Sequence, residues 1–166
     1  MIQYAATLTI QFLFVLLIVY AMISDITKLV IPNWLSISLL ILFLAHFAIG
    51  YPSVSLASNF AVMGVVFACT ALLFHFGFLG GGDVKLMTVL SLWVGPDHIL
   101  EFIVLVNILG ALLALFVIRA SRMVDRNPTE NSRILTTVGA WRSQGICPYG
   151  IAIGSAALFI TPAIFA

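Results

Sequence analysis

Two aspartates in a very apolar chain invite a chemical reading. Asp25 stands in SDITKLVIPNWL and Asp83 in FLGGGDVKLM, each at one end of a long apolar run. An ionisable group there is costly unless it faces a bundle interior or water, so each is a functional candidate. Two carboxylates in one poorly solvated site cannot both ionise easily, because repulsion and desolvation favour keeping one proton between them. That state suits aspartic proteolysis. The ionised partner takes a proton from water, the water attacks a peptide carbonyl, and the protonated partner polarises that carbonyl and later helps the amine leave.

Other chemistries lack residues. Asp97, Glu101, Asp125 and Glu130 lie in polar breaks and read as solvated surface. His46, His75 and His98 are scattered with no HExxH, so a zinc protease has no ligand set, and His75 reads as a core or interfacial side chain. No metal and no cofactor is expected. Cys69 and Cys147 lie in apolar stretches without CxxC spacing and read as small core hydrophobes. No GxSxG or Walker sequence occurs, and nothing suggests nucleic-acid binding.

The elements that must position the aspartates are membrane helices. Of 166 residues, 63% are hydrophobic and 8% charged, and the mean hydropathy is +1.21, far from the composition of a soluble domain. Lipid offers no water to backbone groups, so an all-α bundle is expected. Six apolar stretches qualify as spans: Ile2 to Ile23, Trp34 to Gly50, Ser58 to Phe78, Val84 to Gly95, Ile99 to Ile118 and Ile146 to Phe165. The fourth is short. At about 1.5 Å per residue it reaches ~18 Å of a hydrocarbon core of roughly 30 Å, so either the bilayer thins there or one end opens into a watery cavity. The N-terminal stretch lacks the positive n-region and cleavage site of a signal peptide and is expected to stay as the first span.

The basic residues orient the bundle. Lys28, Lys85, Arg119, Arg122, Arg126, Arg133 and Arg142 all fall in the three breaks on one side, and the opposite breaks and both termini carry none. By the positive-inside rule the termini face outward and the basic breaks are cytoplasmic. The stretch from about 119 to 145 is the one sizeable loop, a solvated segment at the anionic inner leaflet. No repeat is visible, so residues 1–166 are expected to form a single membrane-embedded domain. Asp25 closes span one and Asp83 precedes span four at the same face, so the two can meet across an inward cleft. Gly80, Gly81 and Gly82 leave the backbone beside Asp83 open to an extended peptide and to φ values closed to other residues.

Taken together, SDITKLVIPNWL, GGGDVKLM and the late PYGIAIG closely resemble the type IV prepilin peptidases, six-span aspartic proteases of the group named for a GxGD motif, here Gly80, Gly81, Gly82 and Asp83. The resemblance runs from about Ser24 to Gly154. It implies that Asp25 and Asp83 are catalytic, that Gly80, Gly81, Gly82 and Lys85 border the substrate, and that Pro32, Asn33, Pro148, Tyr149 and Gly150 support the motif, the last three by packing near the site. Lys85 either offsets negative charge at the dyad, binds a carbonyl or carboxylate, or anchors at the interface. The implied substrates are prepilin and pseudopilin precursors, cut at the cytoplasmic face of a bacterial inner membrane, with contact to the pilus assembly machinery.

One departure is informative. Larger bifunctional members carry an N-terminal cytoplasmic segment with paired CxxC motifs and also methylate the new pilin N-terminus, and this chain shows neither. It is similar to the short branch serving tight-adherence (Flp-type) pili and is expected to be a peptidase only. The competing class is a small proton-coupled transporter with Asp25 and Asp83 as a relay. Clustering of both acids at one face, without an inverted repeat, favours the protease.

Overall fold

The structure is a computed structural model that describes residues 2–49, 55–126, 141 and 147–165. Among these every regular element is a helix: α1 (Ile2–Lys28), α2 (Asn33–Ala48), α3 (Leu56–His75), α4 (Gly81–Arg126) and α5 (Gly150–Ile164). Gln3–Lys28, Leu56–His75 and Gly81–Ala120 are long and apolar enough to cross a membrane, and α2 and α5 are shorter apolar helices.

α4 is two arms. Gly95 interrupts it with φ 66° and ψ −176°, and Pro96 follows. The helical partner of the Leu92 carbonyl would be the N–H of residue 96, which proline lacks. The side-chain amide of Asn59 in α3 takes its place, donating to Leu92 O at 2.8 Å. A Cβ at position 95 would lie 3.0 Å from Asn59 Nδ2, so both the left-handed φ and the available space select glycine there.

The chain turns back at this break. Gly82, at the start of the first arm (81–94), lies against Ile31 in the α1–α2 turn. Far along the second arm (96–126), Val117 and Ala120 cluster with Ile26, Leu29, Trp141 and Cys147, at that same end. The other helices alternate in the same way. Gln3 Nε2 at the start of α1 donates to Ile49 O beyond the end of α2, at 3.0 Å. Each of the six stretches read as spans thus contains a described helical segment, and three described helices are long and apolar enough to cross a membrane. Residues 119–126, expected as loop, are helical, because Ala120 still has an apolar cluster to pack against. The remainder of that loop, apart from Trp141, lies outside the described residues.

The first arm of α4 is the axis of the molecule. Val84, Leu86, Met87, Val89, Leu90, Leu92, Trp93 and Val94 are all buried. Phe14 and Ile18 of α1, Leu35, Leu39 and Phe43 of α2, and Ile153, Ala156 and Ile160 of α5 share one core with it. Trp93 donates Nε1–H to Leu39 O at 3.1 Å and packs its ring 4.6 Å from that of Phe14. The arm is buried along most of its length, and Lys85 is its one exposed residue between 81 and 94. In lipid the apolar core gains little from leaving its solvent, so close packing must hold the helices together. Small residues permit it: Gly154 of α5 lies against Met22 and Ile18 of α1.

The outer surface is apolar. Phe12, Tyr20, Ile41, Val65, Phe116 and Phe159 are among many exposed large side chains. A contiguous apolar exterior on helices of this length belongs to an integral membrane protein.

Candidate active site

The site begins where α1 ends. Leu29 adopts the left-handed region at φ 52°, a conformation costing a non-glycine residue on the order of 1 kcal/mol. Two bonds hold it: Leu29 N–H donates to Asp25 O at 2.9 Å, and Ser24 Oγ donates to Val30 O at 2.7 Å. This turn folds residues 30–33 back beside Asp25 and lets Pro32, with φ −69°, open α2.

Asp25 is only 6% exposed. Its Oδ2 accepts the backbone N–H of Gly150 at 2.8 Å, at the positive end of α5, where a carboxylate is favoured. A Cβ at position 150 would lie 2.8 Å from that same oxygen. Gly150 therefore does more than pack near the site: it holds one of the two carboxylates. Pro148 is buried and accepts Ile151 N–H at 3.3 Å in the first turn of α5. Tyr149 lays its ring on Gly110 of the second arm.

Asp83 lies in the first turn of α4, with its carboxylate beside Gly80. The glycines beside it differ from expectation in one respect. Gly81 and Gly82 are already helical, and the left-handed glycine of this region is Gly77, at φ 76°. What Gly80 and Gly82 provide is space. A Cβ at Gly80 would lie 2.9 Å from Asp83 Oδ2, and one at Gly82 would lie 3.2 Å from Ile31 Cβ. Side chains at these positions would push the carboxylate and the α1–α2 turn away from each other.

Asp25 and Asp83 line one cavity of about 440 Å³, walled by residues 29–33, Gly80 to Gly82, Lys85 and Cys147. Lys85 Nζ donates to Asn33 Oδ1 at 2.7 Å. Among the described residues no ion pair joins Lys85 to either aspartate. Lys85 and Asn33, from separate motifs, therefore form one edge of the cavity. Asp83 also borders a second cavity of about 390 Å³, lined by Gly77, Phe78, Leu79, Gly80, Cys147 and Tyr149. Two carboxylates lining one cavity can take up and give back protons to a bound water and a peptide.

The remaining candidates are elsewhere. Asp97 and Glu101 are exposed, and Glu101 pairs with His98 at 3.4 Å. The side chains of Asp125 and Glu130 lie outside what the structure describes. His46 is buried among Trp93 and Phe165, and His75 is exposed beside Phe76. The cysteines correct the reading as core residues. Cys69 is exposed on the apolar exterior, and Cys147 is half-buried and lines both cavities. An apolar stretch has no side-chain period sharp enough to say which face is inside. Among the described residues, no three His, Cys, Asp or Glu side chains converge to hold a metal ion.

Sequence reasoning missed three participants: the Gly150 N–H as a carboxylate donor, Cys147 as a wall, and Gly110 as the seat of Tyr149. Only the first left a trace, in the GxxxG spacing of Gly150 and Gly154, which marks close helix contact.

No curated protein and no solved structure matches the chain significantly. A model of the type IV leader peptidase family matches residues 12–115, a stretch that holds both aspartates and the glycine motif. The chain belongs to the type IV leader peptidase family.

Proposed function

We propose that this protein is a membrane-embedded aspartic endopeptidase that removes the basic leader from type IV prepilins of the Flp type, at the cytoplasmic face of the inner membrane, with Asp25 and Asp83 as its dyad. The observation that carries this reading is the shared cavity of the two aspartates. They come from the ends of different helices, Asp25 held by the Gly150 N–H and Asp83 set beside Gly80.

The cycle balances with one proton on the pair. The ionised aspartate takes a proton from water as the oxygen attacks the scissile carbonyl, and the protonated one gives its proton to the carbonyl oxygen. Collapse of the diol returns a proton to the dyad, breaks the C–N bond and delivers a proton to the leaving amine. The products are a leader carboxylate and a new pilin N-terminus, and the dyad again holds one proton. Neither aspartate is assigned a fixed role, because the proton belongs to the pair.

Orientation follows from charge. Lys28, Lys85, Arg119 and Arg122 lie at the end of the bundle where Asp25 and Asp83 meet, which the positive-inside rule makes cytoplasmic. All six helical segments then cross the membrane, with both termini outside. A bond cut there lies at the cytoplasmic edge of the substrate's apolar helix. The tight space around Gly80 and Gly82 favours a small residue, glycine, just before the cut. The partners are prepilin and pseudopilin precursors and the assembly machinery that receives them.

Purified protein in detergent, given a prepilin precursor, is expected to release the leader. The same protein in liposomes is expected to show no proton-coupled uptake. Uptake without cleavage would establish the transporter reading instead.

A further inference from the structure

A third hollow opens beside the catalytic cavity. It measures about 230 Å³, is almost wholly apolar, and is lined by Ser36, Ile37 and Leu40 of α2, Met63 and Phe67 of α3, and Lys85, Thr88 and Val89 of α4. It exists because α2 and α3 both pack on α4 but, among the described residues, not on each other. The gap between them has the first arm of α4 as its floor. Ile37 and Phe67 are 55% and 53% exposed, so the gap is open to lipid.

Its position relative to the dyad gives it a direction. Lys85 lines both this groove and the catalytic cavity, so the two adjoin at its side chain. From Asp83 to Val89 the arm rises roughly 9 Å at 1.5 Å per residue, so the groove leads from the dyad towards the middle of the bundle. The second cavity that Asp83 lines is different. Its walls are the turn at residues 77–80 and the residues just before α5, so it lies at the bundle end, beyond the helices. Asp83 thus lines the end pocket directly, and the apolar groove begins two residues further along the arm, at Lys85.

We infer that the substrate binds with one polarity: the apolar helix that follows the scissile bond lies in the α2–α3 groove, and the leader that precedes the bond lies in the pocket of Gly77, Phe78, Leu79 and Tyr149. This rests on the reading of the protein as a leader peptidase and assigns the two sides of its site. The chain between the two compartments must pass Lys85, the dyad and Gly80 in extended form. The groove supplies an apolar helix with side-chain contacts where no helix–helix packing of the protein itself fills the gap. The end pocket leaves a charged leader within reach of water.

Photocrosslinking in membranes tests the polarity. Benzoylphenylalanine is placed in the full-length protein at position 37, 67 or 78, with position 65, whose Val65 is 64% exposed and lines no cavity of the site, as the lipid-facing control. The probe is a precursor with a basic leader, a glycine and an apolar helix, tagged differently at its two ends. Crosslinks from 37 and 67 are expected to carry the helix tag, and those from 78 the leader tag, each at least about five times the yield at 65. Reversed tags, mixed tags at every position, or groove yields equal to the control would overturn the polarity. Cleavage of the precursor by the unmodified protein, measured in the same membranes, reports on the peptidase reading separately. Absence of cleavage would remove both, and cleavage with reversed tags would remove the polarity alone.

Discussion

The backbone N–H of Gly150 donates a 2.8 Å hydrogen bond to Oδ2 of Asp25, tying the last helix to the end of the first. Asp25 is thereby held by a group with no side chain of its own, at a position where a methyl group would collide with the carboxylate. Gly150→Ala should therefore lower kcat for prepilin cleavage by roughly 100-fold, the cost of moving a reacting group by about 1 Å. Membrane abundance should stay normal. Kinetics on purified protein check this, and a near-normal kcat would show that Asp25 does not depend on the α5 terminus.

Lys85 and Asn33 should act as a unit. Their 2.7 Å hydrogen bond links the GxGD segment to the start of α2, so Lys85→Met and Asn33→Ala should reduce kcat/KM by similar factors. The double variant should be little worse than either single one. A coupling of about 1 kcal/mol in the double-mutant cycle is expected for a pair this exposed. Additive losses would return Lys85 to a role independent of Asn33.

Asn59 and Gly95 carry stability rather than chemistry. Asn59→Leu leaves the buried Leu92 carbonyl without its donor and should cost about 1–3 kcal/mol. Gly95→Ala adds strain at φ 66° and crowds Asn59. Both variants should unfold at lower temperature in detergent, yet retain cleavage per folded molecule. Loss of activity without loss of stability would contradict this.

Topology follows from the charge asymmetry. A cysteine replacing the exposed Arg122 should react with an impermeant maleimide only from the cytoplasm, and one replacing Asp97 only from outside. Labelling of position 122 from outside would place the aspartates on the wrong face for a cytoplasmic leader.

Much of this arrangement was legible in the chain itself. Asp25 and Asp83 stand out because charge is rare in lipid, and the one-sided placement of Lys and Arg puts them at one end. The Gly95–Pro96 break was readable too, because both residues oppose helix continuation. Less legible was anything carried by backbone or by space. Gly150 leaves no side-chain trace of the hydrogen bond it makes, and the glycines beside Asp83 were read as room for an extended peptide and for unusual φ, whereas Gly80 and Gly82 make room for the Asp83 carboxylate and Ile31. The short fourth stretch suggested a thinned bilayer or an end at a watery cavity; a cavity does lie at its Asp83 end, and only packing shows how much of the rest is buried. Cys147 was misplaced for a related reason: in a uniformly apolar segment nothing marks the face that turns towards a cavity.

The most direct measurement is the processing of a prepilin precursor by Asp25→Asn and Asp83→Asn variants, with membrane abundance determined alongside. Each substitution keeps the shape of the side chain and removes its proton chemistry, so each should reduce cleavage below about one ten-thousandth of the normal rate, as when a member of an interdependent catalytic set is lost. Asp97→Asn, Glu101→Gln, Asp125→Asn and Glu130→Gln should keep most activity. Substantial cleavage by either Asp25→Asn or Asp83→Asn, with the protein present in the membrane, would contradict the aspartate dyad.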